Sequence, residues 1–209
     1  MNERPFIILG GGGHARVLVN TIRRLGRKIL GYTDPSSNAS LATDVEYLGG
    51  DEVLQEYALD EVVLAVGLGS ARDTARRTRL FNETHFEEYD FPPVVHPQAF
   101  VASEAMLGEG AQVMAGAVVQ PGTQVGENVI VNTNASVDHD CDIRRHVHVA
   151  PGATISGGVT LEEGVHIGTG ASIIQEIQVG EQSIIGAGAV VIEDVPPETT
   201  VIGVPAHTK

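Results

Sequence analysis

The chain has 209 residues, of which 42% are hydrophobic and 4% aromatic, with one cysteine and a formal net charge of −14. That length leaves room for a sizeable core and two domains, while the charge argues against nucleic acid or an anionic membrane as main partner and points to small molecules. One cysteine excludes an intrachain disulfide, and the opening apolar run from Phe6 to Leu9 is too short for a signal h-region or a membrane span, so a cytoplasmic protein is expected.

Phe6-Ile7-Ile8-Leu9 reads as a buried parallel strand, followed by Gly10 to Gly13, His14 and an amphipathic helix from about Ala15 to Leu25. Lys28 to Thr33 reads as a second strand ending at Asp34. Val62 to Val66 is a third, closed by Gly67-Leu68-Gly69, after which Ser70 is expected to cap a basic helix. This βαβ order predicts a small parallel sheet, hence a Rossmann-like α/β domain over residues 1–96. Gly10, Gly12 and Ala15 satisfy the G-x-G-x-x-A spacing, in a turn where bare amides and a helix N-terminus can cradle a diphosphate. Asp34 stands where a ribose hydroxyl needs an acceptor. A ligand-free turn and a nicotinamide site are the competing readings, and a nucleotide of another kind is preferred. Phe91-Pro92-Pro93 and His96-Pro97 then form a stiff junction.

From Val101 to Val191 an aliphatic residue falls on every sixth position without a miss, and a small or β-branched residue usually stands two places before it. A period of six fits neither a helix nor a hairpin sheet and predicts a β-solenoid of short parallel strands. Three hexads per triangular coil make 18 residues, hence about five coils within residues 97–195, with a tail at 196–209. Cys141 takes an inward position as a packed thiol. Residues 18 apart must stack, which puts His139 in the column Ser103, Pro121, His139, Gly157, Gln175, and the bare Gly157 predicts open space beside the imidazole. Asp138 and Asp140 flank that ring and favour its protonated form. The column Ala115, Thr133, Pro151, Thr169, Ala187, each followed by Gly or Asn, predicts a corner of nearly bare backbone along which a long, flat ligand could lie and bond exposed amides, although glycine also serves tight corners. The column Glu109, Glu127, Arg145, Glu163, Glu181 reads as structural, Arg145 relieving the repulsion of its neighbours.

Gly12-Gly13-His14, Asp34 and Gly67 in the first domain, with Asn132-Thr133, Val137-Asp138-His139-Asp140-Cys141, His148 and Gly203-Val204-Pro205-Ala206 in the second, resemble the bacterial sugar acyltransferases of the sialic-acid O-acetyltransferase type, which include N-acetyltransferases of nucleotide-linked 4-amino sugars in surface-glycan synthesis. The resemblance covers essentially the whole chain and implies a mainly β fold, a left-handed parallel β-helix of hexapeptide repeats. It implies that Gly12, Gly13, His14, Asp34, Gly67 and Asn132 hold the nucleotide sugar. It makes His139 the base, oriented by Asp140, and puts His148, Gly157, Thr169 and Ala187 near acetyl-CoA. Pro35 departs from the pattern, since relatives often carry a second acidic residue there.

The expected reaction is direct acetyl transfer from acetyl-CoA to a sugar amine without an acyl-enzyme, the oxyanion taking a bond from His148 or the Gly157 amide. Transfer to a hydroxyl uses the same base and is the nearest alternative. A zinc enzyme of the γ-carbonic anhydrase kind needs three converging imidazoles, which His139, His146, His148 and His166 do not supply within one subunit, so no metal is expected. A non-catalytic scaffold that binds nucleotide sugar is the third reading. His139 and His148 lie nine residues apart, half of a coil whose perimeter is about 60 Å at roughly 3.3 Å per residue. They therefore cannot meet inside one prism, and a homotrimer with sites between subunits is expected.

Overall fold

The computed structural model describes residues 4–36, 41, 44–70, 74–86 and 88–209. The first part is a parallel sheet of β1 (Phe6–Leu9), β2 (Ile29–Thr33), β3 (Tyr47–Gly49) and β4 (Val63–Val66), in the order β3-β2-β1-β4. β1 and β4 are buried along their whole length because both faces are covered. On one side α1 (Gly13–Arg24) lays down Ala15, Leu18, Val19 and Ile22, a helical stripe, against Phe6, Ile8 and Ala65. On the other, Phe81 of α2 (Ala75–Phe86) packs with Ile7, Leu9, Leu64 and Phe91. α1 begins two residues earlier than its apolar pattern predicts, and Gly12 at its N-cap supplies no side-chain hydrogen bond. β3 and a 3-10 turn at Asp51–Glu56 are not anticipated, being too short to carry a period.

The second part is a parallel β-helix with three faces. The first face comprises Val94–Val95, Gln112–Val113, Ile130–Val131, His148–Val149, His166–Ile167, Ile184–Ile185, Thr200–Ile202 and His207–Thr208. The second runs from Phe100–Val101 to Val190–Val191, and the third from Met106–Leu107 to Gln178–Val179. Registers step by 18 residues, as in Val101, Val119, Val137, Ile155, Ile173 and Val191, so five such steps span the aliphatic repeat. Each coil donates to the next, for example Ser136 N to Ala153 O and Asp138 N to Ile155 O, both at 2.9 Å. The aliphatic column and the small residues beside it fill the prism, and Cys141, 2% exposed, points into it.

We name the corner between first and second faces corner I, that between second and third corner II, and that between third and first corner III. Two departures from the expected boundaries concern the ends. The first face already takes in Val94–Val95, upstream of position 97, and the segment after 196 is no loose tail: Thr200–Ile202 extends the first face and His207–Thr208 pairs with it antiparallel. An end strand so covered no longer offers an open edge. The first domain closes the same face nearer its beginning, Val94 and Met114 sharing the core of α1. No helix among the described residues is long and apolar enough to cross a membrane.

Close approach between coils sets some glycines. A Cβ on Gly168 would lie 2.6 Å from Ala187 N and 2.7 Å from Ile185 O, and backbone there cannot yield. Gly168→Ala is expected to destabilise the fold by about 1–3 kcal/mol, the usual cost of overpacking; urea unfolding measures it, and an unchanged midpoint would contradict coil-to-coil contact at that position.

Candidate functional site

Two polar regions stand out on opposite sides of the prism. One lies where the carboxyl ends of β1, β2 and β4 meet the first face. Bare amides open α1 here, and a Cβ on Gly12 or Gly13 would meet nothing within 4 Å, so these glycines leave an open cradle. Asp34 holds the turn together, accepting from Gly11 N and Ser36 N, each at 2.9 Å. Gly67 differs from its expected role: a Cβ there would strike Ala15 Cβ at 2.8 Å and Gly10 O at 2.9 Å. It is buried and lets β4 pack closely against α1.

His14 is tied to the β-helix. Gln112 donates its Nε2–H to Val66 O at 3.0 Å, which turns its Oε1 toward His14 Nε2 at 2.7 Å. His14 therefore donates from Nε2 and keeps Nδ1 as an acceptor. Burial, with Arg77 adding, pushes its pKa down to about 4, so it is neutral. Arg77 is 2% exposed and donates from Nη1 to Val66 O and Leu68 O, both at 2.8 Å, and burial pushes its pKa down to about 9. The sequence reads this helix only as basic and does not single out Arg77. The signal available was phase, since Thr74, Arg77, Phe81 and Thr84 share one helical face and all are buried.

Ser70 does not cap α2, which starts at Ala75. Its hydroxyl instead meets His148 Nδ1, and His166 Nδ1 at 3.2 Å. Asn132 Nδ2 lies 3.1 Å from His148 Nε2. His148 and His166 are 5% and 7% exposed, and His148 is held well below the usual imidazole range by burial first and then by His166, His14 and Arg77. Both nitrogens of His148 are thus engaged. Corner I beside it is open: Thr169, Gly170, Ala187 and Gly188 are exposed. Its glycine amides are not free, however, because Gly152, Gly170 and Gly188 donate to the carbonyls of Thr133, Pro151 and Thr169. A ligand lying there finds flatness and not these donors.

The other region is corner II. His139 donates from Nδ1 to Asp140 Oδ2 at 2.8 Å, and its backbone N–H donates to Asp138 Oδ1 at 2.8 Å. The Asp140 bond first, then the Asp138 charge, raise the pKa of His139. Asp140 sits at φ 57, and its other oxygen takes the space that Gly122 leaves by having no Cβ. The open space predicted over Gly157 is filled by the imidazole itself, since a Cβ on Gly157 would lie 2.6 Å from His139 Cε1 and 2.7 Å from Nε2. A groove of about 520 Å³ runs past this ring, lined by Asp138, Asp140, Ser156, Gly157, Gln175 and Glu176. Cys141 is no nucleophile here: burial raises its pKa and its thiol donates inward to Ser156 O at 3.2 Å. Arg145 at corner III pairs with Glu163 at 2.9 Å, in keeping with charge relief. Among the described residues, no three His, Cys, Asp or Glu side chains form a group that could hold a metal ion.

This pairing of a glycine-cradled α/β turn with a histidine-bearing β-helix matches known proteins in both halves. The PglD N-terminal domain family matches residues 5–83, and the bacterial transferase hexapeptide family (six repeats) matches residues 104–139. The acetyltransferase domain of PglB from Neisseria gonorrhoeae is 33% identical, with a TM-score of 0.93 over 99% of this chain and 100% of its own. The chain belongs to the hexapeptide-repeat sugar acyltransferases. PerB from Caulobacter crescentus, solved with CoA and GDP-perosamine, is also 33% identical, with a TM-score of 0.88 over 98% of this chain and 97% of its own. WeeI from Acinetobacter baumannii, at 22% identity and TM-score 0.88, shares the fold. No curated protein sequence matches the chain. This acyltransferase is accordingly a mainly β protein whose β-helix has the left-handed sense of its family.

Gly157 is free of backbone strain, so a methyl group there acts only on the ring above it. In Gly157→Ala the His139 ring is expected to leave Asp140. Losing its principal stabilising bond lowers the His139 pKa toward the ordinary imidazole value, and an NMR pH titration reads the shift; an unmoved pKa would contradict the seating of the ring on Gly157.

Proposed function

We propose that this acyltransferase moves an acetyl group from acetyl-CoA to the amino group of a nucleotide-activated sugar of the 4-amino-4,6-dideoxy class, with His139 as general base. The observation that carries this reading is the His139–Asp140 bond beside an open groove. With its proton held on Nδ1 by Asp140, His139 turns a lone pair on Nε2 to the groove. The amine nitrogen attacks the thioester carbon as Nε2 takes the amine's proton; the C–S bond then breaks and the thiolate leaves, protonated by the imidazolium. With both nitrogens of His148 occupied, the oxyanion donor is the Gly157 amide. Among the relatives, the PglB domain is solved in complex with acetyl coenzyme A, and a histidine-to-asparagine variant of perosamine N-acetyltransferase holds CoA and GDP-perosamine together.

An amine is favoured over a hydroxyl by the groove's charge. Asp138, Asp140 and Glu176 line it with no lysine or arginine, and such a field attracts an ammonium group. In this reading Gly12, Gly13, His14 and Asp34 hold the nucleotide, Asn132 orients the sugar, and His148, Thr169 and Ala187 border acetyl-CoA along corner I. Both substrates are soluble metabolites, which suits work in the cytoplasm on precursors of a surface glycan. Transfer to a hydroxyl remains the second reading, and thiol release with a panel of 4-amino and 4-hydroxy nucleotide sugars separates the two.

The site is shared between subunits in this proposal. Corner II is opposite the first face, so His139 stands across the prism from the first domain and from His148. The second face joins corners I and II and carries the outward column Phe100, Val118, Ser136, Thr154, Ser172 and Val190, without a charge. If three prisms turn this face to a common axis, corner II of one meets corner I of the next, and a homotrimer completes three sites.

His139→Ala is expected to lower kcat by about 10²-fold with acetyl-CoA affinity nearly unchanged, since a base is lost and corner I is intact. A base acts only when unprotonated, so kcat/KM rises with pH through a midpoint above the ordinary imidazole value. Asp140→Asn removes the largest cause of the raised pKa, leaving the Asp138 charge, and shifts that limb toward acid; an unshifted limb argues for a different base. Gly13→Trp adds its bulk at a position where a Cβ meets nothing within 4 Å, and is expected to block the cradle while circular dichroism shows the fold kept. Subunit exchange between inactive His139→Ala and inactive Gly13→Trp proteins is expected to restore part of the activity, and no recovery in demonstrably mixed trimers would overturn the shared site.

A further inference from the structure

We propose that Ser70 is a positioning residue: reaching from the first domain to the first face, its hydroxyl fixes His148 as one neutral tautomer and so aims the Asn132 amide at corner I. The direction of every bond in this cluster follows from one fixed point. Asn132 Oδ1 accepts the Thr133 backbone N–H at 2.8 Å, which orients the amide and leaves its Nδ2 facing His148 Nε2. Nδ2 can only donate, so Nε2 accepts. A neutral ring then carries its proton on Nδ1, which donates to Ser70 Oγ, and the Ser70 proton is left to reach His166 Nδ1 at 3.2 Å.

Ser70 accepts one bond and donates another through a single atom, as a hydroxyl oxygen can. Both rings are almost wholly buried, packed edge to face with centroids 5.1 Å apart, so water cannot replace Ser70 without a rearrangement. Losing the hydroxyl removes the side-chain partner that the two rings share and leaves the His148 ring only the Ser70 main chain. The Nδ1–H tautomer also keeps Nε2 as an acceptor, and that is what holds the Asn132 amide by one N–H and leaves the second for a ligand at the half-exposed corner. Ser70 follows directly on Gly67-Leu68-Gly69, at the carboxyl end of β4, so the turn beside the nucleotide cradle and the Asn132 corner are one hydrogen-bonded unit.

The ligand at corner I rests on the reading of acetyl-CoA above; the tautomer does not. Imidazole 15N spectra of the full-length protein, with His148 assigned from a His148→Gln spectrum, are expected to show His148 protonated on Nδ1 and bare on Nε2 across the neutral pH range. In Ser70→Ala the two tautomers mix and kcat/KM for acetyl-CoA falls about tenfold, the size of one buried hydrogen bond, while the pH midpoint of His139 stays in place. Ser70→Thr keeps a hydroxyl and restores both. A wild-type spectrum with Nε2 protonated overturns the proposal whether or not the variants fold. So does a Ser70→Ala protein with unchanged spectrum and kinetics, or a Ser70→Thr protein as impaired as Ser70→Ala. A protein that proves indifferent to acetyl-CoA would remove the proposed function while the spectra still decide the role of Ser70.

Discussion

The coil-to-coil hydrogen-bond ladder is the constraint on which the rest of the molecule depends. Strand residues 18 apart pair in parallel register, and N–H groups along each coil donate to carbonyls of the next, as Gln124 does to Cys141 O and Thr160 to Ile177 O. Nothing in this ladder tolerates slippage, since a shift of one residue would turn the aliphatic column outward. Sequence distance thereby becomes spatial order: residues 18 apart touch, and residues nine apart lie across the prism. His139 rests on Gly157 for the first reason, and Asp140 fits over Gly122 for the same reason. The constellation at corner II is therefore made by register, before any side chain chooses a partner.

The first domain uses the same ladder as a platform. Besides the apolar contact of α1 with Val94 and Met114, it makes buried or part-buried polar contacts with the prism: Gln112 to Val66 O, Ser70 to His148, Thr74 to Gly164 O, and Arg77 to Asn128 O. Arg77 is the unusual member, a buried cation whose partners are backbone carbonyls. Leaving such a charge without solvent is costly unless several acceptors converge on it. Val66, Leu68 and Asn128 supply them from two domains at once, so the favourable geometry for Arg77 exists only when β4, its turn and corner III are docked together. The charge that makes α2 look like a surface helix is in this way an element of interdomain specificity.

What the sequence discloses divides along the same line. The β-helix is legible residue by residue because its period is local and repeats; the corner position of His139, with an aspartate on each side, and the inward Cys141 follow from the hexad, while the choice of Asp140 over Asp138 is implied only by the resemblance. The glycine turn after β1 and the strands β1, β2 and β4 are legible because each is a short apolar run closed by glycine or aspartate. β3, with three residues, has no period to read. Ser70 looked like a helix cap and proved to be a partner of two histidines, since its use depends on residues 78 and 96 positions away. Gly67, given to the cradle by the resemblance, differs from Gly12 and Gly13 in packing, because a glycine needed for close approach and one needed for an open turn are the same letter and only the Cβ distances separate them. The emptiness expected over Gly157 failed for a related reason, the ring being long enough to fold back over its own column.

Three histidines of this chain show how environment, and not residue type, assigns chemistry. His14 and His148 are enclosed and face other cations or imidazoles, and desolvation is the largest cause of their lowered pKa values. Each is held as a single neutral tautomer, with the proton on Nε2 in His14 and on Nδ1 in His148, because a fixed amide dictates the choice. A ring locked in this way can bind and orient but cannot exchange protons cheaply, since desolvation penalises its charged form. His139 has the opposite setting, exposed in the single chain with two carboxylates at hand, so that taking up a proton is stabilised and not penalised. General-base chemistry requires a ring that can gain a proton in one half of the cycle and lose it in the other. Of the three, only the ring at corner II meets that requirement, and it does so because the hexad puts it at a corner with aspartates on both sides.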